Sequence, residues 1–274
     1  MRITFTLDVE DHRDDIATDP RHLASTREVL EFLGERGVRG TFFLVGDVVD
    51  EDPGLVRAIA ADGHELAVHG HRHVALPELT ADGFRPGIAD VKARLEDLAQ
   101  QPVVGYRAPM FSLVPSTRWA LDVLAGLGFT YSASVLPIRH PLFGDPTCPA
   151  GAFRWPNGIV ELPCPVLRRG RAGFPFLAGV WLRNLPWPAI RTGMQLLTDC
   201  TVAWTYAHPY DFDPDEPFRV LPEAGRVGSR LIWRRRSVMF DRVDRVLSGR
   251  SAPPLRERVA SLPDDLPVLA RVAA

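Results

Sequence analysis

Residues 64–76, HELAVHGHRHVAL, decide how the rest of the chain is interpreted. A short apolar-rich run, residues 65–68, leads directly into a cluster of imidazoles. His69 and His73 are four residues apart, so one helical turn would direct both side chains at a single ion. Two neutral imidazoles on one face suit zinc or a similar divalent metal. The alternative interpretation is a histidine-rich surface loop, and a third ligand elsewhere in the chain would exclude it.

Carboxylates at the beginning of the chain supply candidates for that third ligand. Residues 3–11, ITFTLDVED, are typical of a buried strand that ends in Asp8, Glu10 and Asp11. The carboxyl end of a strand is where α/β folds place their sites, and buried acidic side chains are costly there without a cation or a catalytic role. Because alternate residues of a strand share a face, we expect Asp8 and Glu10 on the same side.

Size and composition restrict the class of protein. With 274 residues and 46% hydrophobic content, the chain can bury one sizeable core. The net charge of -2 argues against a nucleic-acid partner, which would require a basic surplus. No apolar run reaches transmembrane length and the first residues form a strand, so we expect neither a membrane span nor a signal peptide, and a cytoplasmic protein. The three cysteines have no metal-like spacing and predict no disulfide framework.

Strand and helix patterns alternate through the first half of the chain. A capping box at Ser25 and Glu28 predicts a helix that ends near Gly37, and residues 40–46, GTFFLVG, predict a buried strand. Further helices are predicted at 52–61, 80–99 and 115–127, with strands at 129–134, 159–162 and 202–207. This alternation is typical of a parallel sheet or barrel covered by helices.

The sequence favours one domain over residues 1–250 and a proline-rich tail, residues 251–274, which we expect to pack loosely. Residues 136–158 predict a long ordered connection. Three consecutive arginines at 234–236 precede an amphipathic helix. They predict a solvated helix start, with an anionic-ligand or membrane-surface role as the alternative.

Several motifs, taken in order, carry a family resemblance: DVED at 8–11, GTFFLVG at 40–46, HGHRH at 69–73, RAPMFS at 107–112, GVWLRNLPW at 179–187 and HPYDFDP at 208–214. In this order the chain resembles the polysaccharide deacetylase family, also called carbohydrate esterase family four, and within it the DVED branch associated with exopolysaccharide clusters. The resemblance extends from about residue 3 to residue 212.

The resemblance implies an α/β fold with a distorted, incomplete (β/α)7-type barrel. It also implies a hydrolase that removes acetyl groups from N-acetylated sugars with one divalent metal. Amide hydrolysis requires a nucleophilic water, a base, a group that stabilises the oxyanion and an acid for the departing amine. Zinc is the first expectation for the metal, and a site of two histidines and a carboxylate also accepts cobalt, nickel or iron.

Matched to the family's motifs, His69 and His73 are the two metal-binding histidines and Asp8 is the general base. The third ligand is an acidic residue just after that base, and Glu10 is preferred to Asp11 because it shares the face of Asp8. Arg107 corresponds to the arginine that orients the catalytic aspartate.

Two further catalytic positions follow from the same motifs. The backbone N–H of Met110 corresponds to the group that stabilises the oxyanion. His208 matches the histidine that protonates the leaving amine. In many members an aspartate tunes that histidine, whereas Ser132 stands at the aspartate's position here. Asp199, Asp211 or Asp213 are the alternatives for that role.

Trp181 and Arg183 are predicted sugar contacts, since aromatic faces stack on pyranose rings. The substrate is then an N-acetylated amino sugar in a glycan or a lipid-linked or nucleotide-linked precursor. One alternative is a hydrolase of another linear or cyclic amide, such as a formamide or an allantoin-like ring, on the same fold. Another is a degenerate carbohydrate binder without catalysis.

Overall fold

The computed structural model describes residues 1–12, 19–198, 202–221 and 224–269. Within these ranges the strands are β1 (Ile3–Val9), β2 (Gly40–Leu44), β3 (Glu65–Val68), β4 (Gly105–Tyr106), β5 (Tyr131–Ser132), β6 (Phe153–Arg154), β7 (Val160–Glu161), β8 (Leu167–Arg169), β9 (Ala172–Phe174) and β10 (Ala203–Trp204). The helices are α1 (Arg21–Glu35), α2 (Gly46–Glu51), α3 (Pro53–Ala61), α4 (Ala81–Ala99), α5 (Trp119–Gly126), α6 (Gly179–Asn184), α7 (Trp187–Leu196), α8 (Gly225–Trp233), α9 (Met239–Leu247) and α10 (Leu255–Ala260).

One sheet organises the molecule. Its strands follow the order β10-β1-β2-β3-β4-β5-β7-β6, and every neighbouring pair is parallel except β6 with β7. Within the described ranges β10 and β6 are the terminal strands of this order, and Arg154 of β6 also forms an isolated parallel bridge with Val268. The sheet is curled into a half-barrel. Strands β8 and β9 form a separate antiparallel hairpin. The predicted α/β class with an incomplete barrel is confirmed.

Alternating side chains of the central strands feed two cores. On β2, Phe42 and Leu44 join the cluster between the sheet and the helices, whereas Phe43 joins a second cluster inside the curl of the sheet with Trp204. The same alternation on β1 turns Leu7 outward to the helices and Asp8 towards the interior. A strand covered on both faces reads as a continuous apolar run, which explains the composition of residues 40–45.

The helices that cover the sheet begin at predictable residues. Asp52 caps α3 by accepting the N–H of Leu55 at 2.9 Å, and Pro53 occupies the first turn. Thr80 caps α4, which ends at Gln100 in the left-handed region. The capping box predicted at Ser25 is wrong, because α1 already begins at Arg21 and Ser25 is buried within it. The polar first turn of α1 lacks the apolar periodicity that marks a helix start.

The described part of the tail, residues 251–269, packs against the barrel, contrary to the expectation of loose packing. The N–H of Ala252 donates to the carbonyl oxygen of Ile3, and the side chain of Leu255 is fully buried. Glu65 on β3 accepts the N–H of Arg256 at 2.9 Å, and Tyr131 donates its hydroxyl to the same carboxylate. Burial raises the pKa of Glu65. The tail therefore covers the amino ends of the first strands.

The three arginines of the predicted basic helix start, residues 234–236, differ in their exposure to solvent. Arg234 and Arg235 are exposed, but Arg236 is buried, lies 2.5 Å from Glu216 and packs over the ring of Trp233. None of the helices in the described part of the chain combines the length and apolar character that a membrane span requires.

Candidate active site

Most of the predicted site residues follow the carboxyl ends of neighbouring parallel strands. Asp8 and Glu10 end β1, His69 follows β3, Arg107 follows β4, and His208 lies beyond β10. Strands β10, β1, β2, β3 and β4 are consecutive in the sheet. Residues that are distant in sequence therefore meet at the carboxyl-terminal ends of these strands.

Glu10, His69 and His73 form the centre of the cluster. Oε2 of Glu10 lies 2.8 Å from Nε2 of His73 and 3.3 Å from Nε2 of His69. One ligand atom from each of the three residues lies within 4.8 Å of the others. Oε2 of Glu10 and Nε2 of His69 are buried without a partner in hydrogen-bond geometry among the described residues. These two ligand atoms point towards the same place and have no hydrogen-bond partner, which is the arrangement expected at a binding site for a divalent cation.

The orientation of His69 is fixed by its other nitrogen. Nδ1 lies 3.0 Å from the carbonyl oxygen of Arg107, which can only accept, so Nδ1 carries the proton. Nε2 then presents a lone pair towards Glu10. A second hydrogen bond of this kind is the usual support for a metal-binding histidine.

The turn that delivers His69 and His73 is not the predicted helix. Residues 69–75 form bends and coil, and Gly70 has φ of +106°. A side chain at Gly70 would lie 2.8 Å from the carbonyl oxygen of Arg72 and 3.3 Å from Pro109, so the turn requires glycine. The two imidazoles converge through this turn. The four-residue spacing correctly indicated that the side chains converge, but the backbone between them is a tight turn and not the predicted helical turn.

Charges within the cluster oppose the effect of burial. Burial raises the pKa of Glu10, but His73 and His208 more than compensate and hold that pKa well below its ordinary value. Burial lowers the pKa of His73, and the Glu10 carboxylate outweighs it, so the net shift is upward. In the absence of a cation His73 and His208 therefore balance the charge of Glu10.

Asp8 and Arg107 form a buried ion pair beside this centre. Nη1 of Arg107 lies 2.5 Å from Oδ1 of Asp8, and both side chains have no solvent exposure. The guanidinium is stacked between the rings of Phe43 and Trp204, at 3.9 and 4.2 Å from their centroids. Oδ2 of Asp8 remains free of hydrogen bonds within the described residues and lies 3.3 Å from Nε2 of His69. One carboxylate oxygen thus faces the arginine and the other faces the centre.

Met110 lies in the turn that follows Arg107. Met110 and Phe111 have φ of +56° and +55°, which is costly for residues with a side chain. Ser112 holds the turn by donating to the carbonyl oxygen of Pro109 and accepting the N–H of Leu76. No acceptor for the N–H of Met110 is found among the described residues. A strained turn with a free N–H fits the predicted oxyanion position.

His208 lies on the opposite side of Glu10, with Nε2 3.7 Å from Oε1. Its Nδ1 is 3.3 Å from Oδ2 of Asp211, and the same oxygen accepts the backbone N–H of His208 at 2.9 Å. The hydroxyl of Tyr206 lies 2.9 Å from Nε2. Both nitrogens of the imidazole therefore have partners, and Asp211 fixes the ring from behind.

Asp211 is the partner of His208 that the sequence left open among three aspartates. Burial raises the pKa of Asp211, but Arg183 and His208 lower it to about 2. Burial lowers the pKa of His208, and Glu10 and Asp211 reverse this effect to give a net increase. Asp213 instead pairs with Arg21 at 2.6 Å, and Asp199 lies outside the described residues.

Two predicted residues do not occupy the expected places. Asp11 does not join the two histidines but lies beside His22, 3.6 Å from its Nδ1. Arg183 is fully buried and donates to Asp211 and to backbone carbonyl groups, so its guanidinium does not face solvent. Trp181 is partly exposed and packs on Phe174, so it keeps a free face.

Ser132, which stands at the position of the family's aspartate, is buried and donates to Ser134. Two other residues of the site were not predicted. Glu161 on the neighbouring strand accepts the N–H groups of Ser134 and Val135. Tyr210 stacks on His208 with centroids 4.6 Å apart. The aromatic residues of 206–210, around the histidine, were the available signal. Glu161 had none, because a lone glutamate on a short strand has no motif.

Comparisons with known proteins agree with this arrangement. The family model described as polysaccharide deacetylase matches residues 13–132, and a domain of unknown function matches residues 133–256. The first match contains His69, His73 and Arg107, and the second contains His208. Asp8 and Glu10 precede both.

Individual relatives match shorter parts of the chain. A peptidoglycan-N-acetylglucosamine deacetylase of Bacillus cereus is 29% identical over 105 residues, 38% of this chain and 38% of the relative. A chitin deacetylase of Pestalotiopsis is 30% identical over 146 residues, 52% of this chain and 48% of the relative. The chain thus matches less than half the length of each of these curated relatives.

Similarity of fold extends further than similarity of sequence. A Mycobacterium smegmatis protein provisionally described as a polysaccharide deacetylase superposes with a TM-score of 0.65 at 22% identity, over 99% of this chain and 94% of that protein. At this identity the superposition supports the fold alone. The family matches therefore lead to one conclusion: residues 13–132 belong to a polysaccharide deacetylase domain, which the domain of unknown function at residues 133–256 follows.

Proposed function

We propose that this chain is a metal-dependent hydrolase that removes acetyl groups from an N-acetylated amino sugar. The observation that carries the proposal is the arrangement of three groups at one edge of the barrel. Glu10, His69 and His73 converge at the centre, Asp8 lies on one side of Glu10, and His208 lies on the other. A hydrolase of amides needs a base and an acid separated by an electrophilic centre.

The donor set favours zinc, with two imidazole nitrogens and one carboxylate, and it also suits cobalt, nickel or iron. A divalent ion held by Glu10, His69 and His73 would supply Lewis acidity towards the amide carbonyl. The fit rests on the buried, unpaired Nε2 of His69 and Oε2 of Glu10.

The chain's own groups then divide the proton transfers. Asp8 accepts a proton from the attacking water at Oδ2, while Arg107 holds its Oδ1 and balances its charge. The N–H of Met110 donates a hydrogen bond to the developing oxyanion. His208 delivers a proton to the departing amine from Nε2, with Asp211 fixing the ring through Nδ1.

The substrate class follows from the relatives, which are named as deacetylases of chitin and of peptidoglycan N-acetylglucosamine. We propose an acetylhexosamine unit in a glycan or in a glycan precursor, with Trp181 as a stacking surface for a sugar ring. Hydrolysis of a formamide or a ring amide and binding without catalysis are the alternatives. The intact Asp8, Arg107 and His208 argue against a degenerate binder.

The test is acetate release by metal-stripped protein reconstituted with zinc or cobalt. The substrates are N-acetylhexosamine oligomers and lipid-linked and nucleotide-linked N-acetyl sugars, with a formamide and a ring amide alongside. We expect metal-dependent acetate release that Asp8→Asn reduces by a factor of about 100 to 10,000, the usual contribution of a general base. The matched control is Asp62→Asn, an acidic residue of the chain remote from the barrel edge.

Acetate release that survives Asp8→Asn would remove the assigned base. Zinc binding without acetate from any N-acetyl sugar, but with formate or ring-opened product, would replace the acetyl substrate with the alternative amide. Glycan binding that is equal in the wild type and in Asp8→Asn, with no hydrolysis of any amide, would establish the degenerate binder.

A further inference from the structure

Helix α8 exposes apolar side chains in a way that no other described helix matches. Val227 is 81% exposed and Leu231, one turn later, is 37% exposed. The neighbouring strand-like segment adds Phe218 and Val220, exposed by 49% and 46%. Leu221 donates its N–H to Ser229 of α8, and Phe218 contacts Trp233 edge-on at 5.6 Å, so these residues form one surface.

Positive charge surrounds this surface. The four exposed arginines of the region are Arg226, Arg230, Arg234 and Arg235. From residue 217 to residue 240 the sequence has six arginines and a single acidic residue, Glu223, although the whole chain has a net charge of -2. Of the other two, Arg219 is partly buried and Arg236 turns inward to Glu216. We call the four exposed arginines together with Phe218, Val220, Val227 and Leu231 the α8 face.

We propose that the α8 face docks on an anionic lipid surface. A helix with apolar residues on one stripe and arginines beside them is the form that lies in the headgroup region of a membrane. The arginines provide attraction to anionic headgroups, and the apolar side chains enter the boundary with the acyl chains. The charge complementarity commits the surface to a negatively charged bilayer.

A nucleic acid or an acidic protein is a weaker match to the same face. A polyanion would neutralise Arg226 and Arg230 but would leave Val227 and Leu231 in water. A second copy of the chain would bring the four arginines of one protomer against those of the other, which repel at close range. A bilayer with negatively charged headgroups can neutralise the arginines and can also bury Val227 and Leu231 among its acyl chains. It therefore matches both the charged and the apolar residues of the α8 face.

The α8 face is connected to the active site by a stack of rings. Trp233 at the end of α8 is parallel to His12 at 5.9 Å, His12 stacks on Tyr210 at 4.5 Å, and Tyr210 stacks on His208 at 4.6 Å. A bilayer in contact with the α8 face would therefore lie beside the mouth of the site. Vesicle binding requires no turnover, so this inference stands or falls independently of the proposed hydrolysis.

The experiment is flotation of the full chain with vesicles of phosphatidylcholine alone and of phosphatidylcholine mixed with phosphatidylglycerol. We expect binding to the anionic vesicles only, weakened when the ionic strength rises from low salt to about 0.15 M. The variant Arg226→Glu/Arg230→Glu is expected to weaken binding by at least about 25-fold, from about fivefold per arginine removed. Its matched control is Arg57→Glu/Arg139→Glu, which makes the same charge change at two exposed arginines elsewhere.

The apolar half is tested by Val227→Ser/Leu231→Ser, which should weaken binding, against Leu142→Ser/Leu196→Ser, two exposed leucines outside the α8 face. Circular dichroism confirms that each variant is folded. No binding to anionic vesicles at low salt, or equal loss in a variant and its control, would overturn the proposal. A smaller mass for Val227→Ser/Leu231→Ser than for the wild type in sedimentation equilibrium, without vesicle binding, would assign the α8 face to self-association instead.

Discussion

The buried pair of Asp8 and Arg107 gives a prediction whose size follows from the geometry. Arg107→Met keeps most of the side-chain volume between Phe43 and Trp204 but leaves Asp8, with no solvent exposure, without its cation. Removing one partner of a buried ion pair typically costs about 3–5 kcal/mol, because the other charge stays buried. In the metal-free protein at neutral pH we expect a loss of that size in the free energy of unfolding.

A double variant removes the Asp8 carboxylate that Arg107→Met leaves buried without a cation. Asp8→Asn/Arg107→Met has no buried ion, so it should regain about 2–4 kcal/mol relative to Arg107→Met, despite carrying one more substitution. The free energy of unfolding is measured by urea denaturation, followed by tryptophan fluorescence in a chelating buffer. The four proteins compared are the wild type, Asp8→Asn, Arg107→Met and the double variant. Arg107→Lys, which retains a positive charge, should lose less than Arg107→Met.

The reasoning would be refuted if the double variant were no more stable than Arg107→Met. Effects that add to within about 0.5 kcal/mol would mean that Asp8 and Arg107 are not energetically coupled. The arginine would then serve only to pack against its aromatic neighbours, and its assignment as the group that balances the charge of the base would fail.

Three further outcomes are expected. Glu10→Gln should weaken zinc binding by more than about 100-fold in chelator competition, whereas Asp11→Asn should change it little; equal losses would contradict the choice of Glu10. Asp211→Asn should lower kcat at least about tenfold with zinc affinity unchanged, because it positions His208 and contacts no proposed ligand; an unchanged kcat would leave Asp211 a structural residue. Burial lowers the pKa of His64 from 6.5 to about 4, below its unfolded value, so its contribution is present above about pH 6.5 and is lost as the pH falls towards 4. Relative to His64→Asn, wild type should lose about 2–3 kcal/mol between about pH 7.5 and pH 4.5, and parallel pH profiles would refute this.

Much of the barrel was accessible from the sequence because its strands are buried on both faces. Residues 42–45 form a continuous apolar run, and residues 3–9 alternate apolar residues with threonine and aspartate. Helices α3 and α4 have side-chain caps at Asp52 and Thr80 that sequence patterns indicate well. Strands β6, β8 and β9 were not predicted, since they are two or three residues long and depend on pairing within the fold, whereas β7 lies within the strand predicted at 159–162.

The sequence indicated which residues converge, but it did not indicate how. Alternation along β1 predicted that Glu10 and Asp11 point in different directions, and in the structure Glu10 lies beside His69 and His73 whereas Asp11 lies beside His22. The four-residue spacing of the histidines indicated convergence, but only the backbone at Gly70 shows that a tight turn produces it. Arg183 was misassigned because a motif containing tryptophan and arginine has the same appearance whether its side chains meet solvent or, as here, a buried aspartate.

Strand β1 lies between β2 and β10. Strand β2 belongs to the region that matches the deacetylase model, and β10 belongs to the region that matches the domain of unknown function. Ile3 pairs with Ala203 and Leu7 bridges to Ala207, beyond the boundary between residues 132 and 133. A gene fragment that stopped at this boundary would encode His69 and His73 without His208, and it would leave one edge of β1 unpaired, which favours aggregation. We therefore expect the two regions to be inherited as one unit, with recombination between them selected against.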